Sequence, residues 1–134
     1  MKKIEHLGIA VKDLDLANET FAKIFGKEHY KIEEVESEGV KTSFFSVGES
    51  KIELLEAKNS DSPIATFIEK RGEGMHHIAF YVDDIEKEMA RIKENGFELI
   101  RESYSKGADN KIICFLHPKD TNGVLIELCQ EINL

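Results

Sequence analysis

Positive charge is scarce in this chain. Eighteen Lys and Arg face 26 Asp and Glu, which leaves a formal net charge of −8 and a pI near 5.2. A nucleic-acid binder needs a basic face to neutralise phosphates, so that class is excluded. Long apolar runs are missing too. None approaches the roughly 18 residues of a membrane span, and Lys2, Lys3, Glu5 and His6 interrupt any apolar segment at the start of the chain. No signal peptide is expected, and a cytoplasmic location follows as an expectation. Cysteine is limited to Cys114 and Cys129. They are too few for a disulfide framework and do not form a metal-type pair. Both lie in apolar strand-like runs, where a thiol is expected to be buried.

What remains is an ordinary soluble composition, 41% apolar and 33% charged over 134 residues. That length fits one domain with a core that needs no staples.

The main signal is an internal repeat. "IEHLGIAVKDLD" (Ile4 to Asp15) aligns with "MHHIAFYVDDIE" (Met75 to Glu86) at an offset of 71 residues. His6 falls on His77, Val11 on Val82, Asp13 on Asp84 and Leu14 on Ile85. Each segment continues into a helical pattern. Leu14, Ala17, Phe21 and Ile24 share one face before Gly26; Ile85, Met89 and Ile92 do so before Gly96. Asp13 and Asp84 stand where N-caps belong. "FFSVGESKIELLE" (Phe44 to Glu56) then reads as strand, turn, strand. So does "ICFLHPKDTNGVLIELCQ" (Ile113 to Gln130), with a longer turn through Pro118 and Asn122-Gly123. Glu53 matches Glu127 at an offset of 74.

Between the halves, Ser62-Pro63 opens a short helix with proline at its first position. The expected organisation is one domain over 1–134. Its first βαβββ module covers about 1–57, the linking helix about 62–71 and the second module about 75–131. The fold class is α+β, with a mixed sheet cupped around a shared cavity.

Strand alternation sorts the polar residues. Leu7, Ile9 and Val11 form the helix-facing set of the first strand, so His6, Gly8 and Ala10 face the other way. In the repeat, Ile78, Phe80 and Val82 are the bulky set, and His77 and Ala79 face away from the helix. His76 falls in register with Glu5 and is the bystander of the His-His pair. Ile52 and Leu54 flank Glu53, as Val124, Ile126 and Leu128 flank Glu127. Four strands thus offer His6, Glu53, His77 and Glu127 to an apolar face. Isolated buried carboxylates are expensive, and two without a cation repel. Two imidazoles and two carboxylates around one divalent ion remove that cost and leave two coordination positions open.

These residues, in this order, resemble the vicinal-oxygen-chelate superfamily. Within it the chain is similar to the methylmalonyl-CoA epimerase family, most specifically through "FLHPKD" followed by "GVLIEL". The resemblance implies paired βαβββ modules holding a metal through His6, Glu53, His77 and Glu127. It also implies epimerisation of methylmalonyl-CoA through a metal-stabilised enolate, in propionate/succinate interconversion. Glu127 would both ligate and transfer a proton. The implied ion is divalent, cobalt first, with manganese, nickel, magnesium and zinc compatible, and the implied assembly is a homodimer.

Some members carry a Glu three residues after the Gly of a "GV" pair; here that place holds Thr42, which cannot act as a carboxylate base. Glu36 and Glu38 lie nearby. Substrate contacts are expected from Lys106, Gly107, Lys111 and His117, with Lys106, Lys111 and Lys119 read as loop lysines near the polyanionic CoA tail. His29 is expected at the surface. A glyoxalase-type lyase and a metal-free sequestering protein are the alternative readings of the same fold.

Overall fold

The computed structural model describes residues 1–132. Among these described residues, thirteen short elements include eight strands, three α-helices and two single 3-10 turns. In chain order these are β1 (Lys3–Ala10), α1 (Leu14–Phe25), β2 (Lys31–Val35), β3 (Val40–Val47), β4 (Ser50–Ala57), α2 (Pro63–Arg71), β5 (Gly74–Tyr81), α3 (Ile85–Glu94), β6 (Ser105–Lys106), β7 (Lys111–Leu116) and β8 (Ile126–Glu131). The order βαβββ, helix, βαβββ is the one the repeat predicts, and the class is α+β. By internal contacts the chain divides into two compact units, Leu7–His76 and Met1–His6 with His77 onward. The boundaries run through β1 and β5.

In the unit Leu7–His76 the strands are ordered β2-β3-β4-β1. The β2-β3-β4 part is an antiparallel meander in which Phe44 opposes both Lys31 and Glu53, and Thr42 opposes both Glu33 and Leu55. One face is covered by α1. Val11, Leu14, Phe45 and Leu54 form its buried cluster, with Ile9, Ala17, Phe21, Phe25 and Ile52 against it. Asp13 caps α1 by accepting from the Leu16 amide at 3.1 Å. Gly26 closes it in the left-handed region (φ 70), its amide donating to the Ala22 carbonyl; that conformation suits glycine because no Cβ is present to clash.

The helix face differs from expectation at its last turn. Ile24 is 66% exposed, and Phe25 takes its place against Phe21 and Phe45. The buried face runs Leu14, Asn18, Phe21, Phe25, and the four-residue step to Phe25 keeps it aligned with a period of about 3.6. Asn18 is tolerated there because the Ser43 hydroxyl donates to its Oδ1 at 2.6 Å. His29 is not a surface residue: it lies half-buried with its ring edge-on to Phe45, 6.0 Å between centroids. In α2, Ser62 accepts from the Ile64 amide and Pro63 occupies the first turn.

In the other unit the order is β1-β5-β8-β7-β6. β5 and β8 are parallel, β8 and β7 antiparallel, so the sheet is mixed. Helix α3 covers one face through Ile85, Met89 and Ile92, which pack with Val82, Leu99, Cys114, Leu116 and Leu128. Asp84 caps α3 by accepting from Lys87 N. The turn into β8 carries positive φ at Asn122 (60°) and Gly123 (81°), and Val124 N returns to Thr121 O at 3.1 Å. Asn-Gly is suited to a turn with two left-handed positions. β6 is only two residues long, with Leu99 bridging to Leu116 in place of a longer strand.

Both cysteines are buried and unlinked. Burial in the α3-facing core, reinforced by the negative charge of Glu127, pushes the Cys114 thiol up to about 12. A thiol-specific reagent at pH 8 is therefore expected to titrate essentially neither cysteine of the native protein within minutes, and both after denaturation. Rapid native labelling of Cys114 would contradict this packing.

No helix among the described residues is long and apolar enough to cross a membrane.

Candidate active site

The face of β5, β7 and β8 turned away from α3 is lined by Ala79, Ile113, Phe115 and Cys129, with Tyr81 at its margin. Into this apolar surface β5 projects His77 and β8 projects Glu127. The parallel register sets Ala79 beside Glu127, and the antiparallel register sets Phe115 opposite Glu127. His6 arrives from β1. All three belong to the same compact unit. They are buried, at 5%, 7% and 5% exposure for His6, His77 and Glu127.

The donor atoms converge. His6 Nε2 and His77 Nε2 are 3.0 Å apart; Glu127 Oε1 lies 3.3 Å from His77 Nε2, and Oε2 lies 3.7 Å from His6 Nε2. The imidazole rings meet edge to face, with centroids 5.1 Å apart at 88°. Phe115 stands edge-on to the His77 ring at 6.0 Å and limits its rotation.

Glu5, which alternation placed on the other side of the strand, also joins the site. His6 Nδ1 donates to Glu5 Oε1 at 3.1 Å. That bond fixes the ring and puts the proton on Nδ1, so Nε2 presents its lone pair to the cluster. A carboxylate next to a histidine on a strand is the only sequence signal that pointed to Glu5, and alternation argued against it.

The donor set fits a metal ion. One ligand atom from each of His6, His77 and Glu127 lies within 4.8 Å of the others, and all three residues are buried. Two nitrogens each about 2.1 Å from one ion and at right angles to each other stand about 3.0 Å apart. This is the separation of the two Nε2 atoms. A borderline first-row divalent ion is the natural occupant of such imidazole and carboxylate ligands.

The remaining predicted residues fall as follows. Glu53 is buried on β4, in the unit Leu7–His76, on the face opposite Leu54 and α1. His76 packs edge-on to Phe67 of α2, 5.0 Å between centroids at 81°. Burial lowers its pKa to about 4, so it is neutral at pH 7. Glu36 is exposed and ion-paired with Lys58, which also holds Glu34 at 3.1 Å. Thr42 is buried on β3.

Lys106 is exposed at the end of β6. Lys111 is not a loop lysine: it opens β7, is 7% exposed, and donates to Asp109 Oδ2 at 3.3 Å and to the Asp109 carbonyl at 3.1 Å. Asp109 and Asn110 both have positive φ, 57° and 56°, in the connection that delivers it. Gly107 has a packing reason to be glycine, since a Cβ there would meet the Ile113 side chain at 2.8 Å. His117 caps the turn that follows β7, its Nδ1 accepting from Lys119 N at 3.3 Å. Lys119 pairs with Glu98 and holds that exposed carboxyl below its usual range.

A family model described as the glyoxalase/bleomycin resistance protein/dioxygenase superfamily matches residues 5–115. An ethylmalonyl-CoA/methylmalonyl-CoA epimerase of Cereibacter sphaeroides is 39% identical over 130 residues, covering 96% of this chain and 97% of its own length. Among solved structures, a substituted Streptomyces coelicolor methylmalonyl-CoA epimerase in complex with 2-nitronate-propionyl-CoA superposes with a TM-score of 0.95. It is 34% identical, over 100% of this chain and 97% of that one. A methylmalonyl-CoA epimerase in complex with methylmalonyl-CoA and NH4+ gives 0.93 at 35% identity, over 98% and 95%.

Proposed function

Because the chain belongs to the glyoxalase/bleomycin resistance/dioxygenase superfamily and, within it, to the methylmalonyl-CoA epimerase family of isomerases, we propose that it interconverts (2R)- and (2S)-methylmalonyl-CoA by removing and returning the α-proton. The observation that carries this reading is the buried convergence of His6, His77 and Glu127 on an otherwise apolar face.

The α-carbon of the substrate lies between a thioester carbonyl and a carboxylate. Loss of its proton gives an enolate, whose charge must be held while a proton returns from the opposite face. A divalent ion held by His6, His77 and Glu127 would supply Lewis-acid stabilisation of that developing charge. Glu53 is proposed as the fourth donor, on the strength of the sequence repeat that pairs it with Glu127. Cobalt is the first choice of ion, with manganese, nickel, magnesium or zinc as alternatives.

Glu5 keeps His6 in the tautomer that offers Nε2. Phe115 and the neighbouring apolar side chains exclude water, which strengthens every charge interaction at the cluster. Glu127 is the proposed proton-transfer carboxylate. Thr42 has no carboxylate to offer, so return of the proton on the other face falls to a different group or to water.

Lys106, Gly107, Lys111 and His117 are the proposed substrate contacts. Lys106 is the strongest of them for the CoA phosphates, because Lys111 is already neutralised by Asp109. A cytoplasmic homodimer is the proposed working form.

Proton NMR in deuterated water tests the reaction directly. The metal-loaded protein is expected to wash deuterium into the α-position of methylmalonyl-CoA without net conversion to another compound. Absence of exchange with every candidate ion would rule the reading out.

A further inference from the structure

The turns that lead into α1 and α3 are fastened in the same way. In the unit Leu7–His76, Val11 N donates to Leu55 O at 2.9 Å and Leu14 N to Glu56 Oε1 at 2.9 Å. In the other unit, Val82 N donates to Cys129 O at 2.9 Å and Ile85 N to Gln130 Oε1 at 2.8 Å. Val11 and Leu14 match Val82 and Ile85 at the 71-residue offset; Leu55 and Glu56 match Cys129 and Gln130 at 74. Each turn is tied to the last strand of its own module by one backbone bond and one side-chain bond.

In the second module this clamp joins the two strands that carry metal donors. The turn from Val82 to Ile85 leaves β5, which bears His77, and Gln130 lies on β8, which bears Glu127. Leu128 packs in the α3 core and Cys129 on the opposite face, so alternation puts Gln130 on the α3 side, away from the donors. β5 and β8 are parallel, and their ladder bonds would be the same after a shift of two residues. The Gln130 bond would not, because it belongs to the register that sets Glu127 beside Ala79. It also weakens once its atoms part by more than about 0.5 Å. Metal ligands tolerate still less, about 0.2 Å from their preferred distances. Ile85 is 1% exposed, so its amide depends on this acceptor.

We infer that Gln130 is a positioning residue for the donor cluster: by clamping β8 to the first turn of α3 it sets the height of Glu127 against His77. The inference rests on the metal site of the reading above. Gln130 acts through β8, from the far face of the strand. The match with Glu56 defines what the clamp needs, an acceptor oxygen on a two-carbon stem, supplied by carboxylate or amide alike.

Gln130→Met keeps the length of the side chain and removes the oxygen. It is expected to weaken Co2+ binding about tenfold, the low end of the range for outer partners of metal ligands. Tm of the metal-free protein should fall by about 3–6 °C. Asp84→Ala is the control, since it removes the acceptor for Lys87 N, a bond within α3 that does not involve β8. It should lower Tm by a similar amount and leave Co2+ affinity unchanged. Gln130→Glu supplies the acceptor that Glu56 provides in the first module, and should restore both Tm and affinity. Affinity is read by Co2+ titration of the metal-free proteins, followed by the visible absorption of the bound ion. Wild-type affinity in Gln130→Met, equal losses in Gln130→Met and Asp84→Ala, or failure of glutamate to restore binding would each overturn the inference alone. A wild-type protein that takes up no divalent ion would overturn the metal site, and this inference with it.

Discussion

Replacing His77 by alanine is expected to remove bound metal and turnover together, whereas replacing its neighbour His76 should do neither. His77 and His6 point their Nε2 atoms at each other across 3.0 Å, with Glu127 closing the triangle. Deleting either imidazole takes away one of the three buried donors that converge there. The loss should exceed the ~10–100-fold fall in affinity that follows removal of an outer partner of a metal site. Glu5→Gln supplies that smaller reference value, because Glu5 meets His6 at Nδ1, the nitrogen turned away from the Nε2 cluster.

His76 is different in kind. Its ring packs on Phe67, and burial lowers its pKa to about 4, so it is a neutral packing residue. His76→Phe should keep metal content near wild type. Metal per chain, measured by elemental analysis after gel filtration, is read alongside α-deuterium exchange. His6→Ala and His77→Ala should fall far below wild type in both, Glu5→Gln should lie between, and His76→Phe should stay close to wild type. Glu53→Ala is expected to behave as a ligand deletion. Equal losses at His76 and His77 would contradict the strand register.

That register was legible because a strand has a period of two. Once Ile78, Phe80 and Val82 are assigned to the helix, His77 can only face the other side, and the α3-facing cluster contains Phe80 and Val82 as expected. The same reasoning placed Leu54 against α1 and Glu53 opposite. The caps at Asp13, Ser62 and Asp84 were equally readable, since each depends on one short side chain and one local amide.

What escaped the sequence depends on reach and on long-range packing. Ile24 fits the helical stripe as well as Phe25 does, and only the position of the Phe45 ring decides between them. Glu5 is on the wrong parity for the site but long enough to reach the His6 Nδ1. Lys111 looks like a solvated loop lysine because its burial comes from β7 and from the paired left-handed residues Asp109 and Asn110. No pattern of three or four neighbouring letters encodes these arrangements.

Glu127→Gln is expected to separate the two roles proposed for that carboxylate. Gln keeps an oxygen donor at nearly the same place, so the site with His6 and His77 should still hold metal, with affinity reduced by about tenfold at most from the lost charge. It cannot accept a proton. General acid–base groups commonly contribute about 10²–10⁴-fold to rate, so kcat for α-deuterium exchange should fall by that factor at saturating metal. Glu127→Ala, by contrast, should lose metal and turnover together, because no oxygen remains between the two imidazoles.

The burial of Glu127 makes the comparison clean. The residue is almost fully enclosed, with Phe115 opposite it on β7 and Ala79 beside it on β5, so the amide has no room to swing away from the histidines. Titrating both variants with the divalent ion that restores most wild-type activity, and reading metal content and exchange rate on the same samples, gives the result. If Gln at this position holds metal and exchanges at the wild-type rate, Glu127 is only a ligand and the proton moves through another group. If metal and rate fall in strict proportion, Glu127 acts through the ion alone. A protein that keeps its metal and loses its exchange is the outcome expected of a carboxylate that itself carries the proton.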